Sequence, residues 1–205
     1  TLVYTLSLHD ALPICGAGKS HTIGVLAEGT ARAPGVAPVV VDPMGAFAGL
    51  ASEADPDTED VPGRVIESPT IRADALPASQ WPELVGLDPT SGAGALVWEA
   101  AAAASTLGEM VEEVVGGDEE RGARRAAGNH LRRAREWDVF DPDGLTAGDL
   151  FGPEATVLSL AGVDDAPTSA VVAATARLLY DARTGDGRPG RLPWLFVDEA
   201  HVAVD

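Results

Sequence analysis

Short, predominantly apolar runs recur along the chain and predict buried strands. They cover Ala37–Val41, Thr156–Leu160 and Pro193–Val197, and these lengths suit strands better than helices. Strands that are apolar on both sides are typical of a parallel sheet covered by helices on both faces. The pattern therefore favours a layered α/β protein.

The segments between these runs carry apolar residues at helical spacing. Lys19–Glu28 predicts a short helix, and its inward-facing residues are expected to be Ile23, Leu26 and Ala27. Residues 165–185 predict a longer helix that Asp165 can cap. Strand, helix and strand at these lengths predict right-handed βαβ units.

Residues 69–150 interrupt the alternation and are predicted to form a mostly helical insertion between Ala37–Val41 and Thr156–Leu160, which are the second and third strands if a first strand precedes Gly16. One helical face is visible in Leu107, Met110, Val111 and Val114. The preceding Glu53–Arg64 is acidic, contains two prolines and a glycine, and favours a surface loop. Gly92-Ala93-Gly94 is glycine-rich without a following lysine and is predicted to be a turn.

Residues 121–137 predict an amphipathic helix with an arginine-rich flank. The apolar stripe consists of Ala123, Ala127, Leu131, Ala134 and Trp137, and the flank of Arg121, Arg124, Arg125, Arg132 and Arg135. One interpretation is contact with phosphates of DNA, or with a neighbouring subunit. The other is a solvated helix face whose arginines pair with nearby carboxylates.

Composition sets further bounds. The chain has 205 residues with 45% hydrophobic content, enough for one core. No apolar stretch approaches the ~20 residues that span a bilayer, so no membrane partner is expected. The single cysteine, Cys15, excludes an internal disulfide framework and fits a reducing cytoplasm.

The net charge of −18 has two interpretations. It could form an acidic surface that repels nucleic acid, or a solvated surface suited to a salty cytoplasm, where screening is strong. The acidic residues are spread along the chain and only one lysine is present. This favours the second interpretation, under which the charge does not exclude a DNA partner.

That only lysine lies in a glycine-rich segment, Gly16-Ala17-Gly18-Lys19-Ser20, which leads into the first predicted helix. Backbone N–H groups at such a junction suit a polyphosphate. In this interpretation the five residues bind nucleotide, Lys19 reaches the β- and γ-phosphates, and the Ser20 hydroxyl binds Mg²⁺. A glycine-rich turn with an incidental lysine is the alternative. A dinucleotide fingerprint is excluded because its third glycine would fall at His21.

The complete phosphate-loop pattern needs another glycine at position 13, where the chain has Pro13. Residues 5–14, TLSLHDALPI, resemble the translation of a sequencing-library adapter. We therefore expect residues 1–15 to be non-native and residues 16–205 to be part of a P-loop ATPase domain that is truncated at both ends.

The last predicted strand is followed by Asp198-Glu199. In open α/β sheets, ligands bind at the carboxyl ends of the strands. Asp198 is predicted to hold Mg²⁺, and Glu199 to orient and deprotonate the attacking water, so that Glu199 and Lys19 are the candidate catalytic residues. An ordinary solvated acidic turn is the alternative. His201 completes a D-E-A-H string without the other helicase motifs, which indicates a coincidence or a local polar contact.

From Gly16 onward, the succession of segments resembles the HerA–FtsK group of P-loop ATPases, in particular haloarchaeal HerA-like proteins (domain of unknown function 87). The segments are GAGKSHTIGVLAE, VVVDPMGAF, LDPTSGAGALVW, VLSLAGVDDAP and PWLFVDEAH. Asp42-Pro43-Met44-Gly45 is similar to a strand-end element of that group that typically continues with Glu and an aromatic residue. Here Ala46 replaces the acid and Phe47 keeps the aromatic ring.

The resemblance implies a RecA-like core that forms a hexameric ring and couples ATP hydrolysis to movement along double-stranded DNA, with a nuclease as partner. Sensor and arginine-finger elements follow the second motif in such proteins, so we expect residues 16–205 alone to be inactive as an ATPase. A conjugation- or secretion-type motor or scaffold that acts on protein is one alternative. A non-functional fragment is another.

Overall fold

A computed structural model describes residues 18–47, 49, 63–152, 154–186 and 189–200. Residues 1–15, with their adapter-like sequence, and the predicted site residues Gly16 and Ala17 lie outside the described part, as does His201. The helices are α1 (Lys19–Ala31), α2 (Trp81–Leu84), α3 (Gly92–Ala103), α4 (Leu107–Gly116), α5 (Arg121–Arg135), α6 (Ala147–Leu150) and α7 (Asp165–Thr184). The strands are β1 (Val36–Asp42), β2 (Gly63–Glu67), β3 (Ala155–Ser159) and β4 (Leu192–Val197).

The strands form one four-stranded sheet in the order β2-β3-β1-β4, and every pairing is parallel. Val40 aligns with Val157 of β3 on one side and with Phe196 of β4 on the other. Strand β1 is therefore central, and its neighbours are far from it in sequence. The predicted α/β class with a parallel sheet is confirmed.

Helices cover both faces of this sheet, which explains the uniformly apolar runs. Val39 and Val41 of β1 belong to the larger core, which includes Val171 of α7. The alternate residue Val40 packs on the other face with Ala27 of α1. Successive strand residues point to opposite faces, so a strand between two helical layers must be apolar at every position.

Three expectations from the sequence are wrong. The predicted loop 53–64 overlaps β2, which begins at Gly63. This strand pairs only with β3 among the described residues, and an edge position tolerates the polar Arg64 and Glu67 that obscured it.

Leu26 was expected to face inward but is 50% exposed. Gly92 and Gly94 lie in the first turn of α3, where Ser91 caps the helix by accepting from the Gly94 N–H.

The segment between β2 and β3 is mostly helical, as the sequence predicted. In α5 the stripe residues Ala127, Leu131 and Ala134 are buried, while Ala123 and Trp137 are partly buried against the same core. Helix α4 begins with a capping box in which Glu109 accepts from the Thr106 N–H. These hydrogen bonds lower the pKa of the Glu109 carboxyl, the Ser105 N–H contributing most.

The chain enters and leaves this helical segment at one place. The Ile71 N–H donates to Val139 O (2.7 Å), and the Asp141 N–H donates to Ile71 O (3.0 Å). The Leu145 N–H donates to Thr70 O (2.8 Å). We call this set of contacts the base of the helical segment. Gly144 belongs to it, because a Cβ added there would lie 2.6–2.8 Å from the backbone of Ile71.

No helix among the described residues combines the length and the apolar character needed to cross a membrane.

The base predicts that Gly144→Ala destabilises the fold. The new methyl would overlap backbone atoms of Ile71, which cannot move without breaking the base. We expect a loss of about 1–3 kcal/mol in the free energy of unfolding, measured by chemical denaturation. Gly116→Ala, where an added Cβ meets nothing within 4 Å, is the control and should change stability by less than about 1 kcal/mol. Equal effects of the two substitutions would show that the base is not tightly packed.

Candidate functional site

The carboxyl ends of the parallel strands place polar residues at one edge of the sheet. Strand β1 ends at Asp42, β3 ends at Ser159, and Asp198 directly follows β4. Helix α1 also begins at this edge, with Lys19 as its first residue. The glycine–lysine motif and the acidic motif, predicted from opposite ends of the sequence, therefore meet.

A hydrogen bond joins the two motifs. The Ser20 hydroxyl donates to Asp198 Oδ2 over 2.6 Å, across 178 positions of sequence. Asp198 is only 2% exposed, and its other oxygen accepts from the Glu199 N–H (3.1 Å). Both oxygens of this buried carboxylate thus have protein partners, and one partner is the hydroxyl predicted to bind Mg²⁺.

Lys19 and Glu199 form a second link beside the first. Lys19 Nζ lies 3.5 Å from Glu199 Oε1, with the side chains 49% and 29% exposed. An ion pair so exposed contributes at most about 1 kcal/mol. Lys19 can therefore readily exchange Glu199 for another partner, such as a phosphate group.

Glu199 has an unusual backbone. Its φ of 52° lies in the left-handed region, which costs a non-glycine residue roughly 1–2 kcal/mol. Such conformations concentrate at functional sites, where surrounding contacts maintain them. This backbone conformation changes the direction of the chain after β4, and the Glu199 side chain lies next to Lys19.

The start of α1 is suited to an anion. Gly18 occupies the N-cap with φ 77°, and the first turn contains no acidic side chain. The N-cap provides no side-chain hydrogen bond, so the electropositive helix end is not neutralised from that position. The Thr22 hydroxyl donates to Gly18 O (2.9 Å) and stabilises the first turn.

Asp42 has a structural role that the sequence did not reveal. It is 1% exposed, and its two oxygens accept from the N–H groups of Ala46 (3.0 Å) and Phe47 (2.8 Å). The carboxylate thus closes the turn that follows β1. Position 46 contributes its backbone N–H, which any residue except proline supplies. The only signal in the sequence was an acid directly after a buried strand.

The oxygens present are compatible with Mg²⁺. Mg²⁺ binds oxygen at about 2.0–2.1 Å in octahedral geometry, which places adjacent ligands about 3 Å apart. Ser20 Oγ and Asp198 Oδ2 lie 2.6 Å apart, close to that spacing. No cluster of three or more His, Cys, Asp or Glu side chains suited to a metal occurs in the described part of the chain. Two protein oxygens are typical of a Mg²⁺ ion that is otherwise bound by phosphates and water.

An open cavity of about 330 Å³ begins at Ser20 and continues along α1. Its lining is shared between α1 and the turn closed by Asp42, and consists of Ser20, His21, Gly24, Val25, Glu28, Ala46, Phe47 and Gly49. A ligand held by Lys19 and Ser20 has room to extend into it. The sequence did not predict this cavity, because its two walls are separated along the chain.

Among the predicted site residues, Gly18, Lys19, Ser20, Asp198 and Glu199 are brought together. A comparison with models of known protein families gives no match, and a search of curated proteins finds no similar sequence. The case for a function therefore depends on the arrangement of these residues.

Substitution by asparagine is predicted to affect the two buried aspartates differently. In Asp42→Asn, an NH₂ group must face one of two backbone N–H donors, so we expect a loss of about 1–3 kcal/mol in the free energy of unfolding. In Asp198→Asn, the NH₂ group can donate to the Ser20 hydroxyl, which can also accept. Chemical denaturation should show a change below about 1 kcal/mol. Equal losses would contradict the different roles assigned to Asp42 and Asp198.

Proposed function

We propose that this chain contains the ATP-binding and ATP-hydrolysing core of a RecA-like P-loop motor of the HerA type that acts on double-stranded DNA. The observation that carries the proposal is the hydrogen bond of Ser20 with Asp198 at the start of α1. It joins the two motifs that a nucleoside-triphosphatase requires, on the sheet edge where ligands of open α/β folds bind.

Each residue of the site has a chemical role in this proposal. The start of α1 and the Lys19 ammonium bind the phosphates and balance their charge. Ser20 and Asp198 would hold Mg²⁺, which would supply positive charge to the phosphates. Glu199 orients a water molecule and accepts its proton.

The Lys19 ammonium is paired with the Glu199 carboxylate. A bound triphosphate attracts the Lys19 ammonium more strongly than one exposed carboxylate does, because it carries several negative charges. We infer that nucleotide binding separates the pair and that Glu199 exchanges Lys19 for a water molecule. One exchange of partners thus couples binding to formation of the general base.

The DNA motor is supported by the succession of segments shared with HerA-like proteins, and by a parallel sheet compatible with a P-loop core. A hexameric ring and a nuclease partner belong to the same proposal. A motor that acts on protein has the same nucleotide site. Recovery of protein partners together with absence of DNA binding would favour that alternative.

The proposal predicts Mg²⁺-dependent ATP binding that requires Lys19. We expect Lys19→Ala to weaken binding of a fluorescent ATP analogue by about 10–100-fold, because charged hydrogen bonds of about 1.5–3 kcal/mol are lost. Titration followed by anisotropy measures this. Arg72→Gln, which removes one positive charge from an arginine paired with Asp74, is the matched control. Equal affinity of wild type and Lys19→Ala would overturn the proposed site.

The remaining residues separate binding from catalysis. Asp198→Asn should abolish the gain in affinity that Mg²⁺ gives the wild type, without unfolding the chain. In a protein that hydrolyses ATP, Glu199→Gln should retain binding and lower turnover by about 10²–10⁴-fold. Unchanged turnover in this variant would show that Glu199 is not the base.

A further inference from the structure

Helix α5 concentrates positive charge on an acidic chain. It carries six arginines and no acidic residue between Arg121 and Arg135, whereas the whole chain has 14 Lys and Arg residues and a net charge of −18. Scattered cations would be the expected arrangement on a surface whose only task is solubility. This helix therefore requires a more specific explanation.

Four of these arginines form a row along one flank of the buried stripe. At 3.6 residues per turn, Arg121, Arg125 and Arg132 lie within about 40° of one another, and Arg135 is about 40° to one side of Arg121. All four are exposed. They border the buried stripe and span about 21 Å, at 1.5 Å per residue. We call Arg121, Arg125, Arg132 and Arg135 the arginine ridge.

Within the part of the chain that the structure describes, no ion pair joins the ridge to a carboxylate. The described ion pairs join Lys19 to Glu199, Arg64 to Glu154, Arg72 to Asp74 and Arg177 to Asp181, and none includes a ridge residue. The one hydrogen bond of the ridge side chains within the described residues runs from Arg132 to Asn129 Oδ1, at 3.4 Å. Among the described residues, the ridge arginines therefore do not form the carboxylate pairs expected of a solvated helix face, which is the alternative left open by the sequence.

The fold does not account for the ridge either. Arg124 is the arginine of α5 that holds local structure, because it is partly buried and donates to the carbonyls of Val115 (3.1 Å) and Gly117 (2.8 Å). The helix dipole favours positive charge only in the last turn, which suits Arg132 and Arg135. Arg121 lies in the first turn of α5, where the dipole disfavours it, and Arg125 lies outside the last turn, where the dipole does not favour it.

The chemistry of the ridge favours phosphate. Protein interfaces usually contain apolar or aromatic anchors, but the exposed α5 positions beside the ridge are Gly122, Asn129 and Arg133. Guanidinium groups bind phosphate oxygens in bidentate fashion. We propose that the arginine ridge of α5 binds the phosphate backbone of a nucleic acid. This inference deepens the proposed function, since it gives the DNA partner a surface, and it is independent of ATP binding.

The test compares two double variants of equal charge. R125Q/R132Q removes two ridge arginines, whereas R72Q/R177Q removes two arginines that are paired with Asp74 and Asp181. Binding of a short fluorescent DNA duplex is measured by anisotropy over a fourfold range of salt concentration. Each phosphate contact contributes about 0.9 to the slope of log affinity against log salt. The slope of the ridge variant should therefore be about 1.8 smaller than that of the wild type. Over the fourfold salt range, the wild-type affinity should decrease by a factor about ten times larger than the factor for the variant.

The control variant should keep the wild-type slope, and circular dichroism should show both variants folded. An unchanged slope in R125Q/R132Q, or an equal loss in R72Q/R177Q, would overturn the inference. Absence of duplex binding by the wild type would also overturn it. Displacement of the duplex by poly-glutamate at equal charge concentration would instead assign the ridge to an acidic protein. ATP-analogue binding by R125Q/R132Q is measured in parallel. If it persists while DNA binding is unaffected, the ridge assignment fails and the nucleotide site stands.

Discussion

The parallel pairing of β1 with its two neighbours is the constraint on which the site depends. Helix α1 precedes β1 and is joined to it by residues 32–35, so it must run back along the sheet. Its 13 residues extend about 20 Å, and the seven residues of β1 extend about 23 Å. The start of α1 is therefore set at the carboxyl edge. Because β4 is parallel to β1 and pairs with it, Asp198 and Glu199 arrive at the same point.

How much the sequence could predict depended on the range of the interactions. Buried runs and helical stripes are local, so β1, β3, β4, α4, α5 and α7 were predicted close to their observed bounds. The short edge strand β2 was missed, because Gly63, Arg64 and Glu67 resemble a loop when its pairing with β3 is unknown. Leu26 was placed inward by its helical period but is exposed, because the packing of α1 on the sheet is a tertiary contact that no local pattern contains.

In the candidate site, too, features set by local sequence were predicted and features set by tertiary contacts were not. Residue chemistry predicted Lys19, Ser20, Asp198 and Glu199, and the parallel sheet explains why they meet. The two hydrogen bonds that Asp42 accepts were not predicted, because they depend on the direction of two backbone N–H groups after β1. The left-handed Glu199 was also not predicted, since glutamate has no intrinsic preference for that conformation. The directions of the side chains in the site are set by tertiary contacts.

The base of the helical segment holds the start and the end of that segment together. Thr70 and Ile71 are hydrogen-bonded to residues 139–145, so the chain returns to its starting point after about seventy residues. A change in the length of the segment leaves the end of β2 and the start of β3 joined through the base, and the entropic cost of closing the loop changes only slowly with its length. The base thus allows the helical segment that carries the arginine ridge to vary in length while the pairing of β2 with β3 is kept.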